Sequence, residues 1–359
     1  MMRAALALAR RSLGRTWPNP AVGCAIIRDG RIIAAGRTRD GGRPHAEADA
    51  LASAIEPVAG ATAYVTLEPC AHHGRAPPCA DALVAAGVAR VVSAIEDPDP
   101  RVKGQGHARL RAAGIAVEIG DGAAEATDIN AGFFRRISDG RPLFHLKLAT
   151  SLDGAIATAK GESKWITGPA ARAAGQRLRA THDAVLVGIN TVALDDPELT
   201  CRLPGLSRYS PVRIVLDSHA RLPLESKLVA TASKNPVWLI CTEVDRDREL
   251  RLADKGIKVI RVKAAADGRV DVVAAAKSLG GLGLTRVLIE GGGQVAAAFL
   301  KAGLIDRITH YRAGLVMGAD SRSAVGPMAL DRLGFAPRFS LVSARTVGGD
   351  TVESWRQDA

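Results

Sequence analysis

The sequence predicts an α/β chain of two domains, and three observations predict it. Short runs rich in valine, isoleucine and leucine alternate with alanine-rich stretches of helical period along almost the whole length. At 359 residues the chain is long for a single core. Its 47% hydrophobic content is ample for two. Strands separated by helices imply mixed, largely parallel sheets covered on both faces.

The first domain, 1–141, opens with an amphipathic helix over 1–13, interrupted by Arg3, Arg10 and Arg11 and unlike a secretory signal. Strands 22–27 and 31–36 form a hairpin about Asp29-Gly30. Helix 46–54, strand 62–67, helix 80–86, strand 90–95, a helix near 105–113 and strand 115–119 follow. Helix 123–137 closes the domain, and Gly140-Arg141-Pro142 is the joint. The second domain, 142–359, starts with strand 143–150, which runs into Ser151-Leu152-Asp153-Gly154. Helix 169–180, strands 184–188, 212–217, 236–241 and 257–262, helix 270–279, strand 286–290 and helix 293–302 continue it. Two strands, near 305–316 and 340–347, end the chain.

The formal charge is +11, but the basic residues are dispersed and aromatics make up only 4%. A nucleic-acid surface needs clustered charge and stacking platforms, which are absent; the charge would serve a small phosphorylated substrate and a phosphate-bearing cofactor equally well, and a generally basic proteome accounts for it most simply. Five cysteines, an odd number, fit a reducing compartment better than a disulfide framework. Cys24, Cys201 and Cys241 read as small core residues. No apolar run approaches the length of a membrane span, and the cytoplasm is the expected location.

The densest chemistry lies between 45 and 79. His45-Ala46-Glu47, Pro69-Cys70 and Pro78-Cys79 supply an imidazole, two sulfurs and a carboxylate. One histidine and two thiolates fill three corners of a zinc tetrahedron and leave the fourth for water. Zinc lowers the pKa of that water to about 7. Glu47 then stands ready to move protons between water, a ring nitrogen and a leaving amine, the work of hydrolytic deamination at an amidine-like ring carbon. The spacing admits other readings. Nucleobase deaminases pair H-x-E with P-C-x-x-C, whereas eight residues separate Cys70 from Cys79. A structural zinc loop or two unrelated buried thiols would also allow that gap. Context favours a catalytic metal: Cys70 stands just past a strand end, and Cys79 stands at a helix start, where the dipole favours a thiolate. His72 and His73 are alternative ligands or, more simply, loop residues near the substrate.

Two clusters mark the second domain. Strand 286–290 runs into Gly291-Gly292-Gly293-Gln294 and a helix, where backbone amides can cradle a phosphate. Gly291, Gly293 and Ala296 satisfy G-x-G-x-x-A by count, but a tight packing turn reads the same way. In 191–202, Asp195, Asp196 and Arg202 are either a helix terminus with a surface ion pair or the wall of a site in which Arg202 grips a phosphate. The pattern does not choose.

With these motifs the chain resembles the bifunctional deaminase–reductases of riboflavin biosynthesis over nearly its whole length. The matching stretches are Pro18-Asn19-Pro20-Ala21-Val22-Gly23, His45-Ala46-Glu47, Thr66-Leu67-Glu68-Pro69-Cys70, Gly74-Arg75 and Pro77-Pro78-Cys79. Further along come Lys147-Leu148-Ala149, Ser151-Leu152-Asp153-Gly154, Gly161-Glu162-Ser163-Lys164-Trp165-Ile166-Thr167, 191–202 and Glu290-Gly291-Gly292. The wide cysteine spacing is the form that family uses. The resemblance implies a cytidine-deaminase-like N-terminal domain and a dihydrofolate-reductase-like C-terminal domain, each a mixed sheet flanked by helices. It implies zinc-dependent deamination of 2,5-diamino-6-(5-phosphoribosylamino)pyrimidin-4(3H)-one to 5-amino-6-(5-phosphoribosylamino)uracil. NADPH-dependent reduction of the ribosyl side chain then gives 5-amino-6-(5-phosphoribitylamino)uracil.

The same resemblance assigns residues. His45, Cys70 and Cys79 would hold one zinc, with Glu47 as proton shuttle and Asn19 against the ring. Ala149, Trp165, Thr191, Asp195, Ser218 and the turn Gly292, Gly293, Gln294, Val295, Ala296, Ala297 and Ala298 would contact NADPH. Ser163, Arg179, Leu199, Arg202 and Glu290 would contact the phosphorylated pyrimidine. Hydride transfer needs nicotinamide C4 and the anomeric carbon in near-contact, so orientation is the main contribution. A proton donor for the opening ribose is also required, and Lys147, on the same strand face as Ala149, is the candidate. The family implies a homo-oligomer with no nucleic-acid or membrane partner. Two departures stand out. Ala76 replaces the usual threonine of the metal loop, and Arg312-Ala313-Gly314 replaces an Ala-Pro arrangement, which leaves the path of the last strands open.

Two other function classes fit part of the sequence. A nucleic-acid base deaminase with a basic accessory domain shares the zinc chemistry but leaves the motifs of 147–202 unexplained. A zinc-stabilised interaction protein predicts a closed coordination shell and unfolding of the first domain on metal removal.

Overall fold

The computed structural model describes residues 1–72, 77–100 and 102–358. The chain divides into two compact units, Met1–Gly140 and Arg141–Ala359. In the first, α1 (Met2–Arg10) turns Met2, Ala5, Leu6 and Ala9 inward, the spacing of one helix face. The hairpin of β1 (Gly23–Arg28) and β2 (Arg31–Arg37) closes through Asp29 and Gly30, both at positive φ (47° and 74°), as a two-residue hairpin turn demands. After it come α2 (Ala46–Ala52), β3 (Thr62–Val65), α3 (Cys79–Ala85), β4 (Arg90–Ser93), α4 (Gln105–Ala112), β5 (Ala116–Ile119) and α5 (Ala123–Asp139).

Among the described residues these strands form one sheet in the order β2-β1-β3-β4-β5. β1 is antiparallel to both its neighbours, and the β3–β4 and β4–β5 ladders are parallel. The sheet is therefore mixed in equal parts, less parallel than the sequence suggests, because β1 runs against β3 as well as β2. Gly36 lets α2 lie directly on the hairpin. A Cβ there would overlap the Ala46 carbonyl oxygen and the Ala50 amide.

The second unit begins with β6 (Leu143–Thr150), β7 (Ala155–Ala157), α6 (Pro169–Arg179), β8 (Ala184–Gly188) and α7 (Ile189–Asp195). β9 (Val212–Leu216), α8 (Lys227–Ala230), β10 (Val237–Cys241), α9 (Arg246–Asp254), β11 (Ile257–Arg261), α10 (Val272–Gly281), β12 (Arg286–Ile289) and α11 (Gly293–Lys301) follow. β13 (Ile305–Arg312), β14 (Arg322–Ser323), β15 (Phe339–Val347) and β16 (Asp350–Gln357) end it. Its main sheet runs β11-β10-β9-β8-β12-β6-β13-β16-β15, and β7 pairs with β14 apart from it. Every ladder from β11 to β13 is parallel, and β16 is antiparallel to both neighbours. β10 is apolar and buried at every position, as a parallel strand covered on both faces must be.

The chain does not end as the sequence suggests. β13 stops at Arg312, not 316, where the Ala313 amide donates to the Thr150 carbonyl at 2.9 Å. Beyond the strand expected near 340–347 lies a further one, β16, inserted between β13 and β15. Its sequence, Asp-Thr-Val-Glu-Ser-Trp-Arg-Gln, is too polar to announce a strand; pairing on both edges makes it one. The sequence also passes over the short elements α7, α8, β7 and β14, and over α9, a helix that buries only Leu252. Asp245 caps α9 by accepting the Arg248 amide at 2.8 Å. Among the described residues no helix is long and apolar enough to cross a membrane. All five cysteines are unbridged, with Cys24, Cys201 and Cys241 buried.

Candidate active sites

Three side chains meet in the first unit. His45 is the N-cap of α2, Cys79 is the first residue of α3, and Cys70 stands in the loop after β3. His45 Nδ1 lies 3.7 Å from Cys70 Sγ and 3.4 Å from Cys79 Sγ, and the Cys79 amide donates to Cys70 Sγ at 3.3 Å. A tetrahedral zinc with Zn–N near 2.0 Å and Zn–S near 2.3 Å holds its nitrogen and sulfur ligands about 3.6 Å apart. The three donors therefore stand at the spacing zinc requires, and one nitrogen with two sulfurs is a zinc donor set. His72 is exposed and outside the cluster. His73 and the Gly74-Arg75-Ala76 segment lie outside the described residues.

The thiols hold one proton between them. Cys70 gives it up, its pKa drawn down to about 4 by hydrogen bonding from Cys79, while that same bond and burial push Cys79 up. Hydrogen bonding to Cys70 in turn raises His45. A dication held among them would remove the second proton as well. Glu47, in the first turn of α2, is 3% exposed. Burial first, and the Cys70 thiolate second, push its carboxyl up to about 7. Such a group can both take and give a proton at neutral pH.

Backbone packing fixes these positions. Glu68 is buried, and its Oε1 accepts the Gly106 and His107 amides at 2.9 and 3.1 Å. Its Oε2 accepts the Asp97 and Gly104 amides at 3.1 and 2.9 Å. The turn before α4 is thereby tied to the residues just before Cys70. A Cβ on Gly106 would overlap the Pro69 carbonyl oxygen, so only glycine allows the approach. Because these amides occupy both Glu68 oxygens, its grouping with Glu96 and His107 is a structural knot and not a second metal centre. Asp49 joins α2 to the end of β2 by accepting the Arg37 amide (3.0 Å) and Arg39 Nε (2.8 Å). Asn130 of α5 exchanges two hydrogen bonds with the Ala21 backbone (2.9 and 3.2 Å), which anchors the Pro-Asn-Pro segment. The Asn19 amide group lies against Gly42, close in sequence to His45.

In the second unit the expected reductase residues form three groups. In the first, Arg179 reaches Glu290 with a two-pronged ion pair (2.6 and 2.9 Å) and the Thr200 carbonyl with its remaining nitrogen (2.9 Å). Burial works to raise the Glu290 carboxyl, but Arg179 outweighs it and holds it low. Burial lowers the Lys147 amine, with Glu290 opposing. Lys147 Nζ stands 5.9 Å from the Tyr311 ring centre, and its stem passes Gly175. Ala149 lies two positions further along β6, half-buried.

The second group is the turn after β12. A Cβ on Gly291 would stand 3.0 Å from Thr191 Oγ1, so the turn and Thr191 are neighbours. Gly292 has φ 77°, and α11 starts directly after it, so the turn is both tightly packed and an opening of helix amides. Gln294 is exposed, Gly293, Val295 and Ala298 are half-buried, and Ala296 and Ala297 point into the core. The third group is the loop after α7. Asp195 is exposed, Asp196 accepts the Lys227 amide at 2.9 Å, Leu199 is buried at φ 54°, and Arg202 faces Glu198 at 3.4 Å. Trp165 is 65% exposed, with the Arg172 guanidinium 4.6 Å over its ring, and Ser163 is half-buried nearby. Ser218 spends its hydroxyl on the Val270 amide at 3.1 Å. Sequence reasoning missed Glu68, Asn130, Gln176 and Arg213. Of these only Glu68, inside a quoted motif, carried a signal.

Two family models match the chain: the cytidine and deoxycytidylate deaminase zinc-binding region over residues 1–95, and the RibD C-terminal domain over residues 142–352. The riboflavin biosynthesis protein RibD of Escherichia coli (strain K12) is 42% identical over 360 residues, covering 97% of this chain and 96% of that protein. Its counterpart in Aquifex aeolicus (strain VF5) is 41% identical over 317 residues, covering 88% and 87%. Among solved structures, Acinetobacter baumannii RibD superposes with a TM-score of 0.88 at 39% identity, covering 100% of this chain and 98% of that one. A Thermotoga maritima diaminohydroxyphosphoribosylaminopyrimidine deaminase/5-amino-6-(5-phosphoribosylamino)uracil reductase superposes with a TM-score of 0.87 at 32% identity, covering 99% and 97%.

Proposed function

The chain belongs to the RibD family of riboflavin biosynthesis, and from that premise we propose that it catalyses two consecutive reactions. Its first unit deaminates the diaminopyrimidine ribosyl phosphate to the corresponding uracil. Its second unit reduces the ribosyl side chain to ribityl with NADPH. The observation that carries the reading is His45, Cys70 and Cys79 at zinc spacing beside a buried carboxyl whose pKa is about 7.

His45, Cys70 and Cys79 would hold the zinc, which would supply the Lewis acidity that makes water nucleophilic at neutral pH. Glu47 would take one proton from the attacking water and hand it to the ring nitrogen, then carry the second proton from the newly added hydroxyl to the departing amine as the carbonyl forms and the carbon–nitrogen bond breaks. Asn19 orients the ring. Bound NADPH would supply the hydride of the second reaction. Ala149, Trp165, Thr191, Asp195, Ser218 and the turn 292–298 would hold that cofactor, the turn through its backbone, since the Ala296 and Ala297 side chains are buried in the core. Ser163, Arg179, Leu199, Arg202 and Glu290 contact the ribosyl phosphate substrate, with the Arg202 guanidinium on its phosphate. Lys147 gives a proton to the ribose ring oxygen as the carbon–oxygen bond opens. Its amine, lowered by burial, releases that proton more readily than an exposed lysine would.

The same reading makes the enzyme a cytoplasmic homo-oligomer whose partner is a small phosphorylated pyrimidine, with no nucleic acid or membrane involved. A net charge of +11 without a dense basic run suits such an anionic substrate. The test is to incubate purified protein with the diamino substrate, with and without NADPH, and identify products by mass. The uracil and ammonia are expected without NADPH, and the ribityl product with it. Failure to form the uracil sinks the reading, and tight retention of tRNA or single-stranded DNA at moderate salt would favour a nucleic-acid deaminase instead.

A further inference from the structure

The loop between α7 and β9 carries Leu199 and Arg202, yet neither a ladder nor a helix holds residues 198–202. Side chains from elsewhere satisfy its backbone instead. Arg213 of β9 donates to the Glu198 carbonyl at 3.2 Å, and Arg179 donates to the Thr200 carbonyl at 2.9 Å. Ser210 Oγ accepts the Cys201 amide at 3.1 Å. Gln176 Oε1 accepts the Arg202 amide at 2.9 Å. Within this stretch Leu199 keeps a left-handed backbone (φ 54°), which a leucine retains only where its surroundings impose it. Arg213 supplies a rigid post. It is fully buried, and its guanidinium also binds Thr231 Oγ1 at 2.7 Å and the carbonyls of Leu228, Thr231 and Asn235.

We propose that Gln176, with Ser210 and Arg213, is a positioning residue for the reductase reaction. It sets the Arg202 end of the loop so that the guanidinium meets the substrate phosphate. This rests on the reading of Arg202 as a substrate contact. Gln176 and Arg179 lie three residues apart on α6 and so share one helix face. That face holds the loop at the Thr200 carbonyl and the Arg202 amide, and through Arg179 it also reaches Glu290. A ligand-gripping side chain on a surface loop is thus referred to a rigid helix, the arrangement that precise positioning requires. Losing the Gln176 acceptor leaves the Arg202 amide to water and lets the loop drift. Binding then suffers, while the reacting groups around Lys147 stay in place.

Gln176→Met keeps side-chain length and helix propensity but removes the acceptor. Reductase kinetics with the uracil intermediate and NADPH, and hydrogen exchange over 198–202, read the result. KM for the pyrimidine should rise about five- to tenfold, with kcat and KM for NADPH within about twofold, and the Arg202 amide should exchange about tenfold faster. Deamination should be unchanged. Ser210→Ala should move the same quantities in the same direction. Unchanged KM and exchange overturn the proposal. So does a fall in kcat that tracks a fall in Tm, which marks a merely structural role. Arg202→Ala, measured alongside, separates the failures. If it leaves KM unchanged, the substrate-contact reading falls and takes the inference with it; if it raises KM while Gln176→Met does not, only the clamp falls.

Discussion

The two units hold their chemistry in different ways. In the first, the ends of two helices and one strand-end loop deliver three donor atoms and a carboxyl to a single point, and the backbone around them is locked by Glu68. In the second, the groups are spread over β6, α6, the loop after α7, β9 and the turn after β12, joined by side-chain ties such as Arg179 to Glu290. A site assembled on element ends should fail sharply when one atom is removed. A site assembled through ties should fail by degrees.

The largest break in this contrast comes from Glu47→Gln. Ammonia release should fall about a thousandfold, with zinc content and reduction of the uracil intermediate unchanged. Near-normal deamination would remove Glu47 from the mechanism and the contrast with it. Next comes Glu290→Gln, which leaves a buried Arg179 without its countercharge; the two side chains are 7% and 14% exposed. The second unit should lose about 3 kcal/mol of stability. Tryptophan fluorescence during denaturation reports it, because Trp165, Trp238 and Trp355 lie in that unit.

Lys147→Met sharpens the comparison further. Reduction should fall about a hundredfold and deamination not at all. Since burial lowers the Lys147 pKa from 10.5, the protonated donor is lost below the ordinary lysine range. The alkaline limb of the reductase pH profile should therefore lie below that range and vanish in the variant. Over the same window the unfolded chain binds more protons than the folded one, so stability rises with pH, and the variant should flatten that rise. The smallest effect belongs to the buried pair His145 and His182, whose ring nitrogens meet at 3.1 Å. Burial takes His182 from 6.5 to about 3, so the unfolded chain protonates first as pH falls between those values and the folded state loses stability. His182→Gln should recover about 2 kcal/mol of that acid sensitivity at pH 5, measured against the same variant at pH 7.

How much was legible can be read from particular residues. His45, Cys70 and Cys79 stood out because donor type and position beside an element end are local properties. β10 stood out because a parallel strand buried on both faces is apolar throughout. β16 and α9 did not, because their residues are polar and their pairing or cap lies elsewhere in the chain. The true end of β13 was hidden too, since it depends on where the Thr150 carbonyl falls. Gln176 and Arg213 gave no sign, because what they do is accept or donate a bond to backbone atoms many residues away.

Composition and motif alone determined that this is an α/β chain carrying a nitrogen-and-sulfur donor set, a nearby carboxylate and a family resemblance with its substrate class. Only the tertiary structure decided that Glu47 is buried enough to titrate near neutrality, that Glu68 binds backbone and not metal, and that the Arg202 loop hangs on α6 and β9. The reason is physical. The identity of a ligating atom is covalent and travels with the residue, whereas desolvation and the satisfaction of backbone hydrogen bonds depend on which distant segments come to lie beside it.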